Sequence, residues 1–165
     1  MIYYAGVGSR ETPNNIMNLM TSIAKTFSKK DHCLRSGGAN GADTAFEIGA
    51  GSNKQIFLPW KRFNKRISQF DEPTQKAYDI AEEFHPAWHR LNDSARRLQA
   101  RNSHIILGHS CEDPVSFCVC WTEGGKIIGG TGQALRICHE YNIQVYNLAI
   151  DGIVDLLKKE RCNLP

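Results

Sequence analysis

At 165 residues, 41% hydrophobic and 22% charged, the chain has the composition of one folded domain and not of a disordered polymer. A net charge of +3 is too small to mark a dedicated nucleic-acid protein, and no apolar run approaches the roughly 20 residues that span a bilayer. The opening Met1-Ile2-Tyr3-Tyr4-Ala5-Gly6 lacks a basic region followed by a long apolar core, so a cytoplasmic protein without membrane contact is expected.

Residues 1–7 read as a first strand, which stops in the turn Gly6-Val7-Gly8-Ser9-Arg10. Thr12-Pro13 then opens a helix, with Thr12 as cap and Pro13 in the first helical position. Ile16, Leu19, Met20, Ile23, Ala24 and Phe27 mark its buried stripe. A short strand at 32–35 runs into Ser36-Gly37-Gly38-Ala39-Asn40-Gly41-Ala42-Asp43, and a second helix covers 42–50. Gln55 to Pro59 form a third strand. Residues 60–110 are polar and charged, with helices predicted at 74–85 and 93–104. Too few apolar residues occur there for a second core, so the segment reads as a helical insertion within a single domain of 1–165. Val115 to Trp121 is a continuous apolar strand of the buried parallel type. A helix at 131–141, a strand at 144–148 and a last helix at 152–160 follow. Alternating strands and helices predict an α/β, Rossmann-like doubly wound parallel sheet, with its ligands at the carboxyl ends of the strands.

Three glycine-rich clusters sit where a strand gives way to a helix. Such turns leave backbone N–H groups free at the positive end of the helix dipole, and an anion can approach without striking a Cβ. In the first, Gly8, Ser9 and Arg10 offer backbone donors, a hydroxyl and a forked cation; the alternative is an exposed turn with Arg10 in water. In the second, Ser36, Gly37, Gly38 and Ala39 allow close backbone approach. Asp43 there either caps the helix or accepts from a ribose hydroxyl, and Glu47 lies one turn further on. The third comprises Gly129, Gly130, Thr131, Gly132 and Gln133, with Glu123 as the nearest carboxylate. Arg101 and Asn102 either reach over the pocket as a lid or form an ordinary surface pair. Buried tryptophans usually just pack; among Trp60, Trp88 and Trp121, Trp60 at a strand end is the best base-stacking candidate.

Two other patterns point away from chemistry. The six cysteines (33, 111, 118, 120, 138 and 162) contain no C-x-x-C pair and read as free thiols of a reducing compartment. His85, His89, His109 and Cys111 superficially suggest zinc, but Pro86 disturbs the helix that the histidine spacing needs. Neither a metal nor a cofactor is expected.

Gly6–Arg10, Ser36–Asp43, Arg101-Asn102 and Gly129–Gly132 together resemble the SLOG superfamily of Rossmann-like domains. That group includes the DNA-processing protein A core, the lonely-guy phosphoribohydrolases and small YspA-type proteins of bacteria and phages. The resemblance is nearest to the YspA-like and phage-encoded members, and it implies a nucleotide-derived ligand across the three loops. The phosphoribohydrolases carry a catalytic glutamate in G-G-x-G-T-x-x-E, where this chain has Arg136, with Gln133 in place of the threonine. A cation cannot do that acid's work at neutral pH.

The first expectation is therefore a binding protein, a homodimer or higher oligomer that captures an ADP-ribose-like or cyclic nucleotide ligand. In a phage setting it would act in the host cytoplasm and sequester an immune signal. The second is a hydrolase of N-glycosidic or phosphoester bonds, with Glu123 or Asp43 as its carboxylate. The third, ranked lower, is single-stranded nucleic-acid binding through the basic clusters at 61–66 and 96–101.

Overall fold

The computed structural model describes residues 1–162, the side chain of Cys162 excepted. Strands β1 (Ile2–Gly8), β2 (His32–Ser36), β3 (Lys54–Ile56), β4 (Phe117–Trp121) and β5 (Gln144–Asn147) form one sheet. All neighbours pair in parallel, in the order β3-β2-β1-β4-β5. Helices α1 (Asn14–Ser28), α2 (Ala42–Ala50), α3 (Gln75–Phe84), α4 (Asp93–Leu107), α5 (Gly129–Glu140) and α6 (Ile153–Leu157) connect or follow the strands.

The period-2 alternation of the strands sorts the side chains into two cores. Tyr4, Leu34, Phe117, Val119 and Tyr146 face Met20, Phe27 and Phe46 of α1 and α2, with Leu157 of α6 beside them. Ala5, Val7, Cys118 and Cys120 face Ile105 of α4 and Ala134, Ile137 and Cys138 of α5. Each large apolar side chain buried in this way contributes about 1.5–3 kcal/mol. The five described cysteines are buried free thiols, Cys111, Cys118, Cys120 and Cys138 in the second core, and Cys162 lies outside the described side chains.

The segment inserted between β3 and β4 supplies α3 and α4, which lie on the same side of the sheet as α5. Both of these helices begin at a side-chain cap: Thr74 Oγ1 accepts from Ala77 N and Asn92 Oδ1 from Ala95 N at 2.9 Å. Helix α4 runs three residues beyond its predicted end because Ile105, Ile106 and Leu107 are buried; Gly108, at φ 76°, then stops it.

Other boundaries move for local reasons. Thr12 does not cap α1, since its hydroxyl donates to Ser9 O at 2.6 Å; the helix starts at Asn14 with Pro13 at the cap position. Strand β3 ends at Ile56; Phe57 still donates to Ser36 O at 2.9 Å and forms an isolated bridge with Phe70. Val115 stays outside β4 because its N–H donates to Ile106 O at 2.8 Å. The last helix is one short turn of α-helix followed by a π turn at Lys158–Cys162.

Candidate functional site

Strands β1 and β4 are neighbours, but β1 leads to α1 on one face and β4 to α5 on the other. The connections therefore part at the carboxyl edge, and an open α/β sheet has its crevice at such a switch point. A cavity of about 650 Å³ lies there, within the size range of small-molecule sites. Its floor is Val7 and Gly8 of β1 with Trp121 and Thr122 at the end of β4. Gly8 pairs with Trp121, and a Cβ on Gly8 would lie 2.6 Å from that of Ala42, so only glycine lets α2 approach the first turn this closely. Asn147 donates to Thr122 Oγ1 at 2.7 Å and holds the floor from β5.

Helix α4 forms one wall. Leu98, Arg101, Asn102 and Ile105 recur at helical spacing and present one face to the cavity. Asn102 Nδ2 donates to Gly130 O at 3.0 Å and ties this wall to the third glycine loop. Arg101 is 6% exposed; its Nη1 donates to Gly37 O, its guanidinium lies 5.8 Å from the Phe63 ring centroid, and its Nε is buried with no partner. Burial works against the guanidinium's charge, which in water would be fully solvated.

The helix starts differ in what they leave free. At α5 the cap residue Ile128 gives no side-chain hydrogen bond, Gly129 takes a left-handed φ of 63°, and Gly129, Gly130 and Thr131 line the cavity. Those backbone donors face an opening suited to an anion. In the β2–α2 loop, donors are already taken. The Asp43 carboxylate accepts from the backbone N–H groups of Ala39, at 3.2 Å, and Gly37. Burial pushes this carboxyl up, while Arg101, the two N–H donors and Arg66 pull the other way.

The fold brings together Gly8, Ser9, Arg10, Ala39, Asp43, Arg101, Asn102, Glu123, Gly129, Gly130 and Thr131. Arg10 and Glu123 are exposed at the mouth. Other predicted ligand residues stand apart from the lining. Ser36 is fully buried, and its hydroxyl donates to Gly6 O at 2.6 Å, fastening β2 to β1. Gly37 O is taken by Arg101, and Gly38 O accepts from Asn64 Nδ2 at 3.0 Å. Trp60 packs edge-to-face on Phe63 at 5.1 Å. Gly132 is buried against Ile127.

Gln133 is also fully buried, donating to Ala81 O at 3.0 Å and accepting from Arg136 at 2.7 Å. Arg136 also donates to Phe84 O at 3.1 Å, so it braces α5 against α3. Glu47 does not share the cavity with Asp43; it binds Arg66 at 2.8 Å and Lys54 at 3.2 Å. Sequence reasoning missed Leu98, Gln99, Ile105, Thr122, Ile128 and Ala134. The 98–101–102–105 spacing was the available signal for the α4 wall.

Among the described residues, no group of three or more His, Cys, Asp or Glu is placed to hold a metal ion. His104 and Cys111 are instead part of the α4 core, with Sγ 3.6 Å from Nδ1. No helix among the described residues is long and apolar enough to cross a membrane.

No protein-family model and no curated protein sequence matches this chain. Among solved structures it is similar to DNA processing protein A from Helicobacter pylori, described for its single-stranded DNA binding mode. The TM-score is 0.44 at 12% identity, with 96% of this chain and 81% of that one covered.

Proposed function

We propose that the protein binds a phosphate-bearing, nucleotide-derived small molecule in the β1–β4 crevice and holds it without cleaving it. Arg101 carries this reading. Its guanidinium is buried with an unpartnered Nε, and the carboxylate acting on it, Asp43, is itself held by the N–H groups of Ala39 and Gly37, so a further anion in the cavity would stabilise its charge. Arg10 at the mouth and the open start of α5 supply further donors to phosphate oxygens. Asp43, close to Arg101 in the lining, is an acceptor for a ribose hydroxyl.

Retention of the ligand is supported by the arrangement around α5. Arg136, at the position where the phosphoribohydrolases carry their glutamate, turns to Phe84 and Gln133. A hydrolase reading draws on one observation, that Asp43 and Glu123 both line the cavity.

Calorimetry and thermal shift with AMP, ADP-ribose and cyclic ADP-ribose isomers test the proposal, with ligand release by heating and mass analysis. Intact ligand is expected after release, and Arg101→Met is expected to bind about tenfold to a hundredfold more weakly, as befits hydrogen bonds to a charged group. Free base or ribose phosphate would establish the hydrolase instead. Unchanged affinity in both Arg101→Met and Arg10→Ala would remove the anion subsite. Steeply salt-dependent retardation of an oligonucleotide, with no shift from mononucleotides, would replace the reading by nucleic-acid binding.

A further inference from the structure

The cavity contains an unusual arrangement for an anion site: a buried carboxylate already occupies N–H donors of the β2–α2 loop and shares its nearest cation with the cavity. Asp43 is 4% exposed and Arg101 is 6% exposed, and both line the same cavity. Arg101 has one nitrogen committed to Gly37 O, so a single guanidinium must serve both Asp43 and any arriving anion. Arg66, from the β3–α3 connection, is engaged by Glu47 at 2.8 Å and Thr44 Oγ1 at 2.9 Å. Arg10 is exposed after β1, and Glu123 adds another negative group at the mouth. Glu47, one turn beyond Asp43 on α2, is occupied by Arg66 and Lys54. Two anions held against one buried cation repel strongly in a low-dielectric site, and protonating the carboxyl is the least costly relief.

We propose that docking of a phosphate-bearing ligand on Arg101 is coupled to uptake of one solvent proton by Asp43, so that affinity falls as pH rises. This inference rests on the ligand site proposed above and specifies how that site is regulated. Burial already raises the Asp43 carboxyl, the direction that the coupling requires. The protonated carboxyl keeps one oxygen for the N–H groups of Ala39 and Gly37 and gains a donor toward the ligand.

ADP-ribose is the appropriate probe, because its doubly esterified pyrophosphate does not titrate near neutrality. Calorimetry across the range from about pH 5 to about pH 8, in buffers of different ionisation enthalpy, counts the protons bound with it and finds the pH of greatest uptake. Uptake approaching one proton is expected, together with an association constant that falls up to about tenfold per pH unit. Asp43→Asn, which mimics the neutral acid, should take up none and bind with an affinity independent of pH. Carbon-13 NMR of the wild-type aspartate carboxyls gives a second readout that needs no variant: one titration midpoint should move upward when ligand is added. Tight binding without proton uptake would overturn the coupling while leaving the ligand site standing. Uptake that persists in Asp43→Asn would overturn the assignment to Asp43. Failure of both ADP-ribose and AMP to bind would overturn the ligand site, and the coupling with it.

Discussion

Substituting alanine for Gly130 separates the anion role of the α5 start from its structural role. Gly130 is exposed in the first turn of α5, and a Cβ built there meets nothing within 4 Å. The methyl group therefore costs no packing, and alanine reduces the freedom of the unfolded chain by about 0.4–1 kcal/mol. For a domain of this size that gain raises Tm by roughly 1–4 °C. The Asn102 bond to Gly130 O is a backbone contact on the acceptor side and survives the change. An anion seated on the free N–H groups, however, must approach to about 2.9 Å, which a neighbouring methyl obstructs. Loss of one such charge-assisted bond, about 1.5–3 kcal/mol, weakens binding about tenfold to a hundredfold. Differential scanning calorimetry and ligand titration on the same preparation read both effects. A protein that gains stability and binds AMP or ADP-ribose as tightly as before would refute the α5 start as an anion cradle.

The remaining expectations address individual side chains. Gln133→Leu removes one of two donors to Ala81 O and takes the Oε1 acceptor from Arg136, so stability should fall by about 1–3 kcal/mol in urea denaturation while ligand affinity stays unchanged; a selective loss of binding would return Gln133 to the ligand site. Arg10→Ala should weaken ligand binding about threefold to tenfold without altering Tm, because Arg10 is exposed at the cavity mouth. His104 accepts from Thr74 N at 3.0 Å, and its other ring nitrogen faces Gly108 O at 3.0 Å, an arrangement that fits the neutral ring. Burial holds it below its ordinary value of 6.5, so the unfolded chain binds a proton first. Its stabilising contribution is full above about pH 6.5 and is lost as pH falls below that value. His85, also lowered by burial, acts in the same direction. Urea midpoints between pH 8 and pH 5 should decline less steeply in His104→Gln; an identical slope would contradict the neutral, buried assignment.

The architecture was legible because periodicity and turns agree. Glycine-rich turns after β1, β2 and β4 stand at the carboxyl edge, as the parallel topology requires. The site was legible only in part. A glycine cluster announces open backbone but not what fills it, and at α2 the occupant is the chain's own Asp43. Ser36 and Gln133 carry polar groups that suit a ligand equally well on paper, yet each satisfies a carbonyl inside the core. Only tertiary packing distinguishes these cases. Arg101 illustrates the converse. Its position on an otherwise polar helix suggested a surface pair or a lid, whereas packing against Gly37 and Phe63 buries it in the cavity wall.

The most direct test is mass spectrometry of small molecules released by heat from freshly purified protein, followed by titration of the identified compound into wild type and Arg101→Met. An intact phosphorus-containing compound that binds the wild type and is lost by the variant is the expected result. Recovery of no such compound, with no thermal shift from any phosphorylated molecule added back, would contradict it.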